Sequence, residues 1–183
     1  MEKQNNSQMY FQCKALICIS LVILPAKVFA QNCLFDSITE TTPNTQFVVH
    51  GDGTITDTTT ALMWKQCLEG LSGVNCQTGV LNEQTWSGTL QIAGNINTSG
   101  GFAGYADWRI PNVAELVSLV EEQCTSPAIN DSIFPNTGNK FIWSASPDYN
   151  NDKGSWSVDF NVGTTATLNR DQKYRVRLVR SVK

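Results

Sequence analysis

The sequence contains one histidine, His50, and lacks the short motifs that mark common catalytic sites. It has no H-E-x-x-H, no G-x-S-x-G and no glycine-rich loop ending in Gly-Lys-Ser/Thr, the signatures of zinc hydrolases, serine hydrolases and nucleotide-binding enzymes. A histidine acting as general base also needs a positioned partner, and no nucleophile is evident near His50. We therefore predict a protein that is not an enzyme and that holds no cofactor.

Charged side chains are scarce, at 16% of the residues, and the net charge is −3. A nucleic-acid-binding domain normally carries a basic patch and a positive net charge, so nucleic acid is not expected as a partner. Apolar runs are short as well. The most apolar stretch, residues 15–24, is well below the roughly 20 residues that a membrane-spanning helix needs. We predict no transmembrane segment.

Residues 1–30 have the pattern of an export signal, in which lysines flank the apolar run and small residues precede a cleavage point after Ala30. Cleavage there makes Gln31 the first mature residue. Cys13 and Cys18 lie inside this signal and are excluded from the fold. The mature protein is expected in the periplasm, at the cell surface or secreted.

Four cysteines remain, at Cys33, Cys67, Cys76 and Cys124. An even number in an oxidising compartment predicts two disulfides. We favour Cys67–Cys76, because the glycine-containing loop between them closes at small entropic cost. Cys33–Cys124 would then tie the leader segment, residues 31–46, to the domain. Zinc is the competing use of four cysteines, but there is no C-x-x-C pair and only one histidine, so no zinc site is predicted.

The first half of the domain is predicted to contain two strands and two helices. Asp52-Gly53 is a hairpin-turn signal between two strands, the second of which carries Leu62, Met63 and Trp64 into the core. Residues 83–95 have helical spacing, with Trp86, Leu90 and Ile92 or Ala93 facing inward. A second helix follows Pro111 and ends near Gln123, because Asn112 and Glu115 form a capping-box pattern.

The second half is rich in short strands. The predicted strands are residues 141–146, 155–162, 164–169 and 174–182, separated by turn signals. Strands joined by short turns indicate an antiparallel meander. We therefore predict one α+β domain over residues 47–183, with two helices packed on antiparallel sheet.

Six blocks of the sequence, in order, resemble the DUF1566 family, also called the Lcl C-terminal domain family. They include "DGTITDTTTALMWK", "ADWRIPNVAELVSLV", "FPNTGNKFIWSAS" and "YRVRLVRSV", and the resemblance covers about residues 50–182. It implies a C-type-lectin-like fold, distantly similar to the formylglycine-generating enzymes, in exported bacterial proteins. Some members are adhesins that bind host glycans. Leu178 stands where many members have a cysteine, so the family's disulfide pattern cannot be carried over directly.

One predicted binding surface lies on the last strand. With alternating side chains, Tyr174, Val176, Leu178 and Val182 face one way, and the basic residues Lys173, Arg175, Arg177 and Lys183 face the other. Such a cationic stripe could bind an anionic polysaccharide, because guanidinium groups pair with carboxylate and sulfate. Basic residues that only solubilise an edge strand are the alternative.

Two further ligand hypotheses have simpler alternatives. Trp143 and Trp156 could stack on sugar rings, but tryptophans in a domain of this size are mostly core residues. Asp148, Asn150 and Asp152 could supply oxygen ligands to calcium, but an Asn/Asp-rich turn between strands is commoner, so no metal site is predicted.

The crowded segment Asp107-Trp108-Arg109 looks at first like a catalytic cluster. By alternation Trp108 and Ile110 point inward as anchors, which leaves Asp107 and Arg109 to fix the loop through hydrogen bonds or ion pairs. The leading functional hypothesis is a non-enzymatic surface or secreted domain that binds glycans or a component of the host or envelope surface. A structural or oligomerisation module without a glycan ligand is the alternative.

Overall fold

The computed structural model describes residues 31–182. The predicted export signal, residues 1–30, and Lys183 lie outside this range. In chain order the strands are β1 (Asn32–Cys33), β2 (Phe47–Val49), β3 (Thr54–Asp57), β4 (Leu62–Lys65), β5 (Leu71–Ser72), β6 (Thr78–Gly79), β7 (Cys124–Thr125), β8 (Phe141–Pro147), β9 (Gly154–Asp159), β10 (Thr164–Asn169) and β11 (Val179–Ser181). The helices are α1 (Trp86–Thr98) and α2 (Val113–Val117). Within residues 31–182 no helix is long and apolar enough to cross a membrane.

The architecture is α+β, as predicted, with several small antiparallel sheets. A four-stranded sheet has the order β11-β4-β3-β2, and a three-stranded sheet has the order β10-β9-β8. The pairs β1–β7 and β5–β6 form two further ladders. The main core lies between the two larger sheets and α2, and a second apolar cluster lies around Trp108 and the inner face of α1.

The predicted hairpin at Asp52-Gly53 is present, with β2 and β3 paired antiparallel on either side. The Asp52 carboxylate accepts the N–H of Thr54 at 2.9 Å, which shapes the turn. The prediction of a single strand after this turn was wrong, because β3 and β4 are two strands. Asp57 separates them by accepting the N–H groups of Thr59 and Thr60, as an Asx-type turn does.

Both helices occur where they were predicted, with different bounds. Thr85 caps α1 by accepting the N–H of Gly88, and Ile92 and Ala93 are buried, whereas Leu90 is 41% exposed. The capping box at Asn112 and Glu115 is complete. However, α2 stops at Val117, well before Gln123. Turns follow at residues 118–119 and 122–123, and the next strand begins at Cys124, which pairs with Cys33 across the β1–β7 ladder.

Both predicted disulfides are confirmed. Cys33 is bonded to Cys124 and Cys67 to Cys76. The leader is held further by Glu121, whose carboxylate accepts hydrogen bonds from Thr41 and Thr42. The Cys67–Cys76 disulfide joins residues only nine positions apart in the sequence. The loop that it closes forms one wall of the candidate functional site.

The meander contains three strands and not the four that were predicted. Strands β8, β9 and β10 pair as expected, but residues 174–178 leave this sheet and cross to the four-stranded sheet. The backbone N–H of Arg175 still donates to the Phe141 carbonyl of β8. Further along, the Val176 carbonyl accepts the N–H of Glu69, and the Leu178 carbonyl accepts the N–H of Lys65. Only Val179–Ser181 forms a strand, beside β4. The crossing segment therefore has protein on both sides.

Candidate functional site

The basic residues predicted to form a cationic surface stripe do not lie on one surface. Lys173 is exposed, Arg175 keeps 13% of its side chain exposed, and Arg177 is completely buried. Lys183 lies outside the described residues. Val182, predicted to face inward, is 41% exposed. The alternation that predicted the stripe assumes that one face of the strand meets water, and the crossing segment has no such face at Arg177.

Arg177 is an interior brace. Its guanidinium donates to the backbone carbonyls of Lys65 and Gln66 and to the hydroxyl of Thr137, and it lies 4.9 Å from the centre of the Phe134 ring. Burial lowers the pKa of Arg177 from 12.5 to about 9, with the charge of Glu69 acting in the opposite direction. The side chain therefore stays protonated at neutral pH, and its role is to join β4 to the loop that precedes β8.

Arg175 is only partly enclosed and reaches a surface groove. One guanidinium nitrogen donates to the Thr137 carbonyl. The Nε atom is 3.7 Å from the Glu83 carboxylate, an ion pair too long for a hydrogen bond, and it has no hydrogen-bond partner. Burial lowers the pKa of Arg175, and Glu83 partly offsets this.

We call this groove the amide groove. It has a volume of about 830 Å³ and lies between the loop closed by Cys67–Cys76 and the loop of residues 131–140. Half of the polar side chains that line it are amides, Gln66, Asn75, Gln77, Asn136 and Asn139, and the others are Ser126, Ser132, Asp131, Lys140 and Arg175.

Two hydrogen bonds join the walls of the amide groove. The Asn136 side chain donates to the Cys76 carbonyl at 2.8 Å, and the Gln66 side chain donates to the Ile133 carbonyl at 3.1 Å. The first of these links the disulfide loop to the facing loop directly. The groove is therefore held in a fixed shape by contacts that leave the other amides facing it available to a ligand.

The charge of the amide groove differs from that of the whole protein. Lys140 is exposed and takes part in none of the ion pairs within residues 31–182. With Arg175 it provides two positive charges, but Glu83, 3.7 Å from Arg175, offsets one of them, and Asp131 adds a carboxyl group to the lining. Partial burial raises the pKa of Asp131, although a hydrogen bond from the Asn136 backbone opposes the shift. Lys140 is therefore the cation of the groove that can pair with an anionic ligand.

The other sequence-predicted candidates are part of the framework. Trp143 is fully buried, and its indole N–H donates to the Gln84 carbonyl at 2.9 Å, so it does not stack on a sugar. Trp156 is half-buried. Asp148 accepts the N–H of Asn150 within its turn. His50 is exposed, and its Nε2 atom is 2.8 Å from the Thr56 hydroxyl.

The Asp107–Arg109 segment is an anchor, as predicted. Trp108 is 2% exposed and Ile110 is 6% exposed. Asp107 pairs with Arg180 at 2.6 Å, and Arg109 pairs with Glu115 at 2.7 Å. Both charged residues therefore fix the loop to neighbouring elements.

Sequence reasoning missed the amide groove. The groove residues are spread over three loops that the fold brings together. The one local signal is the density of Asn and Gln in "NCQ" and "NTGNK", from which no site was predicted.

A comparison with family models matches residues 53–180 to the Lcl C-terminal domain, close to the range of 50–182 expected from the motifs. A comparison with curated proteins gave no match.

Proposed function

Because the chain belongs to the Lcl C-terminal domain family, we propose that it is an exported, non-enzymatic surface or secreted domain that binds an anionic glycan in the amide groove. The observation that carries this proposal is the joint presence of Lys140, Arg175 and five amide side chains on the walls of one open groove. An adhesin-like role and a C-type-lectin-like fold belong to the same proposal. Two disulfides suit an extracellular domain.

The chemistry of the groove matches carbohydrate. Each Asn or Gln amide offers two N–H donors and one carbonyl acceptor, which can pair with sugar hydroxyls in either direction. Lys140 and the guanidinium of Arg175 can pair with a carboxylate or sulfate. A ligand that presents both hydroxyls and an anionic group fits this combination better than a neutral sugar or a simple anion.

The alternative is a structural or oligomerisation module of the envelope without a glycan ligand. The observation that favours it is the outer strand β10, whose sequence TTATLN has no charge and no proline. Edge strands that avoid pairing with another chain usually carry charged residues or proline. Pairing of β10 with a second copy would occupy this edge and leave the amide groove unused.

A glycan array probed with the mature protein, with and without calcium, tests the proposal. We expect sulfated or uronate-containing glycans to be retained, equally well after chelation of calcium. Lys140→Ala should weaken binding of heparin by about tenfold or more at physiological salt, since one charge-assisted contact is worth about 1.5–3 kcal/mol. Lys173→Ala, which removes an exposed charge outside the groove, is the matched control. Equal losses in both variants, or no retained glycan, would favour the structural module.

A further inference from the structure

A second, smaller cavity adjoins the amide groove. We call it the Phe102 pocket. It has a volume of about 380 Å³ and is bounded by the β2–β3 turn, the end of β4, the first half of the disulfide loop and the ring of Phe102. Gln66 and Val74 line both this pocket and the groove, so the two cavities have these side chains as a common wall. The volume is in the range of pockets that bind small molecules, about 300–1,000 Å³.

The Phe102 ring is held in place by the β2–β3 turn. Gly53 has a φ of +88°, and a Cβ atom added there would lie 2.9 Å from the tip of the Phe102 ring. Only glycine combines this backbone conformation with so close an approach. The ring also packs edge-on against Trp108, with centroids 5.9 Å apart. The aromatic wall of the pocket is therefore rigid.

Lys65 is the one cationic side chain that lines the Phe102 pocket, and it is 9% exposed. Its ammonium lies 2.6 Å from the Glu69 carboxylate and 4.4 Å from the Phe102 ring centre. The carboxylate neutralises the ammonium, so the pocket has no surplus positive charge at this position. However, an ammonium has three N–H donors, and one bond to Glu69 leaves donors for a neutral acceptor such as an amide carbonyl.

The remaining walls combine apolar and polar groups. Leu71, Val74 and Phe102 contribute carbon surface, which suits a methyl group, while Asp52, Gln66 and Ser72 add polar side chains. A ligand group that combines a carbonyl oxygen with a methyl group is an acetamide. A free sugar amine has neither group.

We infer that the Phe102 pocket is a subsite for an N-acetylated hexosamine, with Lys65 donating to the acetamido carbonyl and the apolar wall contacting its methyl group. This inference rests on the proposed carbohydrate-binding function and assigns a second sugar class to the same surface. The amide groove takes the anionic part of a glycan, and the adjoining pocket takes a neutral N-acetylated residue. A glycan that alternates acidic and N-acetylated sugars would occupy both.

The test is a titration of the isotope-labelled mature protein, with both disulfides intact, followed by NMR through the backbone amides of Gly53, Ser72 and Phe102. The probes are N-acetylglucosamine, glucosamine and glucose. We expect saturable, millimolar binding of N-acetylglucosamine and at least tenfold weaker binding of the other two. Equal shifts with glucose, or no shift with N-acetylglucosamine, would overturn the inference.

Ser72 offers a variant pair that does not disturb the core, because its side chain is exposed and lines the pocket. Ser72→Trp should fill the pocket and abolish binding of N-acetylglucosamine, while Ser72→Ala should leave it unchanged. Unaltered binding by a folded Ser72→Trp variant would contradict the inference. Lys140→Ala should change heparin binding and not N-acetylglucosamine binding. If heparin is not retained while N-acetylglucosamine binds, the pocket stands and only the anionic-glycan function fails.

Discussion

The loop segment at Asp107–Ile110 and the crossing segment at Arg175–Leu178 both alternate charged and apolar residues, yet they use their charges differently. In the loop segment, Trp108 is buried while 41% of the Arg109 side chain is exposed beside Glu115. In the crossing segment, Leu178 and Arg177 are both fully buried. Alternation assigns an inner and an outer face only where one face meets solvent. Where a strand runs between two layers, the same pattern places charge in the interior.

The largest effect on stability is expected at Trp108, the aromatic anchor of the loop segment. Trp108→Ala should lower the free energy of unfolding by about 3–5 kcal/mol, because it empties a buried site and removes the indole hydrogen bond to the Phe102 carbonyl. Urea denaturation followed by circular dichroism measures this. A variant as stable as the wild type that has lost only ligand binding would show that Trp108 belongs to a site.

A smaller loss is expected at the interior arginine. Arg177→Met keeps most of the volume but leaves the Lys65 and Gln66 carbonyls and the Thr137 hydroxyl without this donor. The total cost is expected to be about 1–3 kcal/mol, because the loss of these bonds is partly offset by removal of the desolvation cost of a buried charge. Lys173→Met, at the exposed position just before the crossing segment, should change stability by less than about 0.5 kcal/mol. If the two variants unfold at the same urea concentration, the contrast between the buried Arg177 and the exposed Lys173 is wrong.

The smallest effect on stability is expected at the Arg109–Glu115 ion pair of the loop segment. Arg109→Ala should cost about 1 kcal/mol or less, because the pair is partly exposed. Burial acts to raise the pKa of Glu115, but the hydrogen bonds from Arg109 and the Asn112 backbone outweigh it, so the pKa lies below its ordinary value of 4.5.

The sign of the pH effect follows from that shift. The unfolded chain binds the proton at higher pH than the folded protein does, so the pair's contribution is fully present above pH 4.5 and is lost as the pH falls through the lower folded pKa. Thermal unfolding of wild type and Arg109→Ala between pH 7 and pH 3 should give curves that converge on acidification. A difference that grows at low pH would contradict this assignment.

Features fixed by a few neighbouring residues could be predicted from the sequence. The capping box at Asn112, the Asp52-Gly53 hairpin, the Cys67–Cys76 loop and the β8–β9–β10 meander each depend on local geometry. In contrast, α2 ends at Val117 and is followed by Glu121, whose carboxylate binds Thr41 and Thr42, about eighty residues away in the sequence. The buried position of Arg177 depends on β4 and the loop at Thr137.

The candidate site was harder to predict than the fold. The basic segment was recognised, but only Arg175 from it lines the amide groove. The remaining groove residues come from loops that are about fifty residues apart in the sequence, and amides in loops have no periodicity to reveal a common face. Lys140 and Asn136 become recognisable as neighbours of Gln66 only after the disulfide loop has been placed.

The pairing of β11 with β4 has a consequence for the order of folding. Val179 lies opposite Trp64, so the four-stranded sheet is completed by a segment synthesised more than a hundred residues after its partner. Such non-local pairing slows folding, because the loop must close before the contacts form. Arg175, which lines the amide groove, sits just before this strand. The four-stranded sheet therefore cannot be completed until the chain has been synthesised as far as residue 181. A nascent chain that stops earlier has neither a complete core nor a complete amide groove.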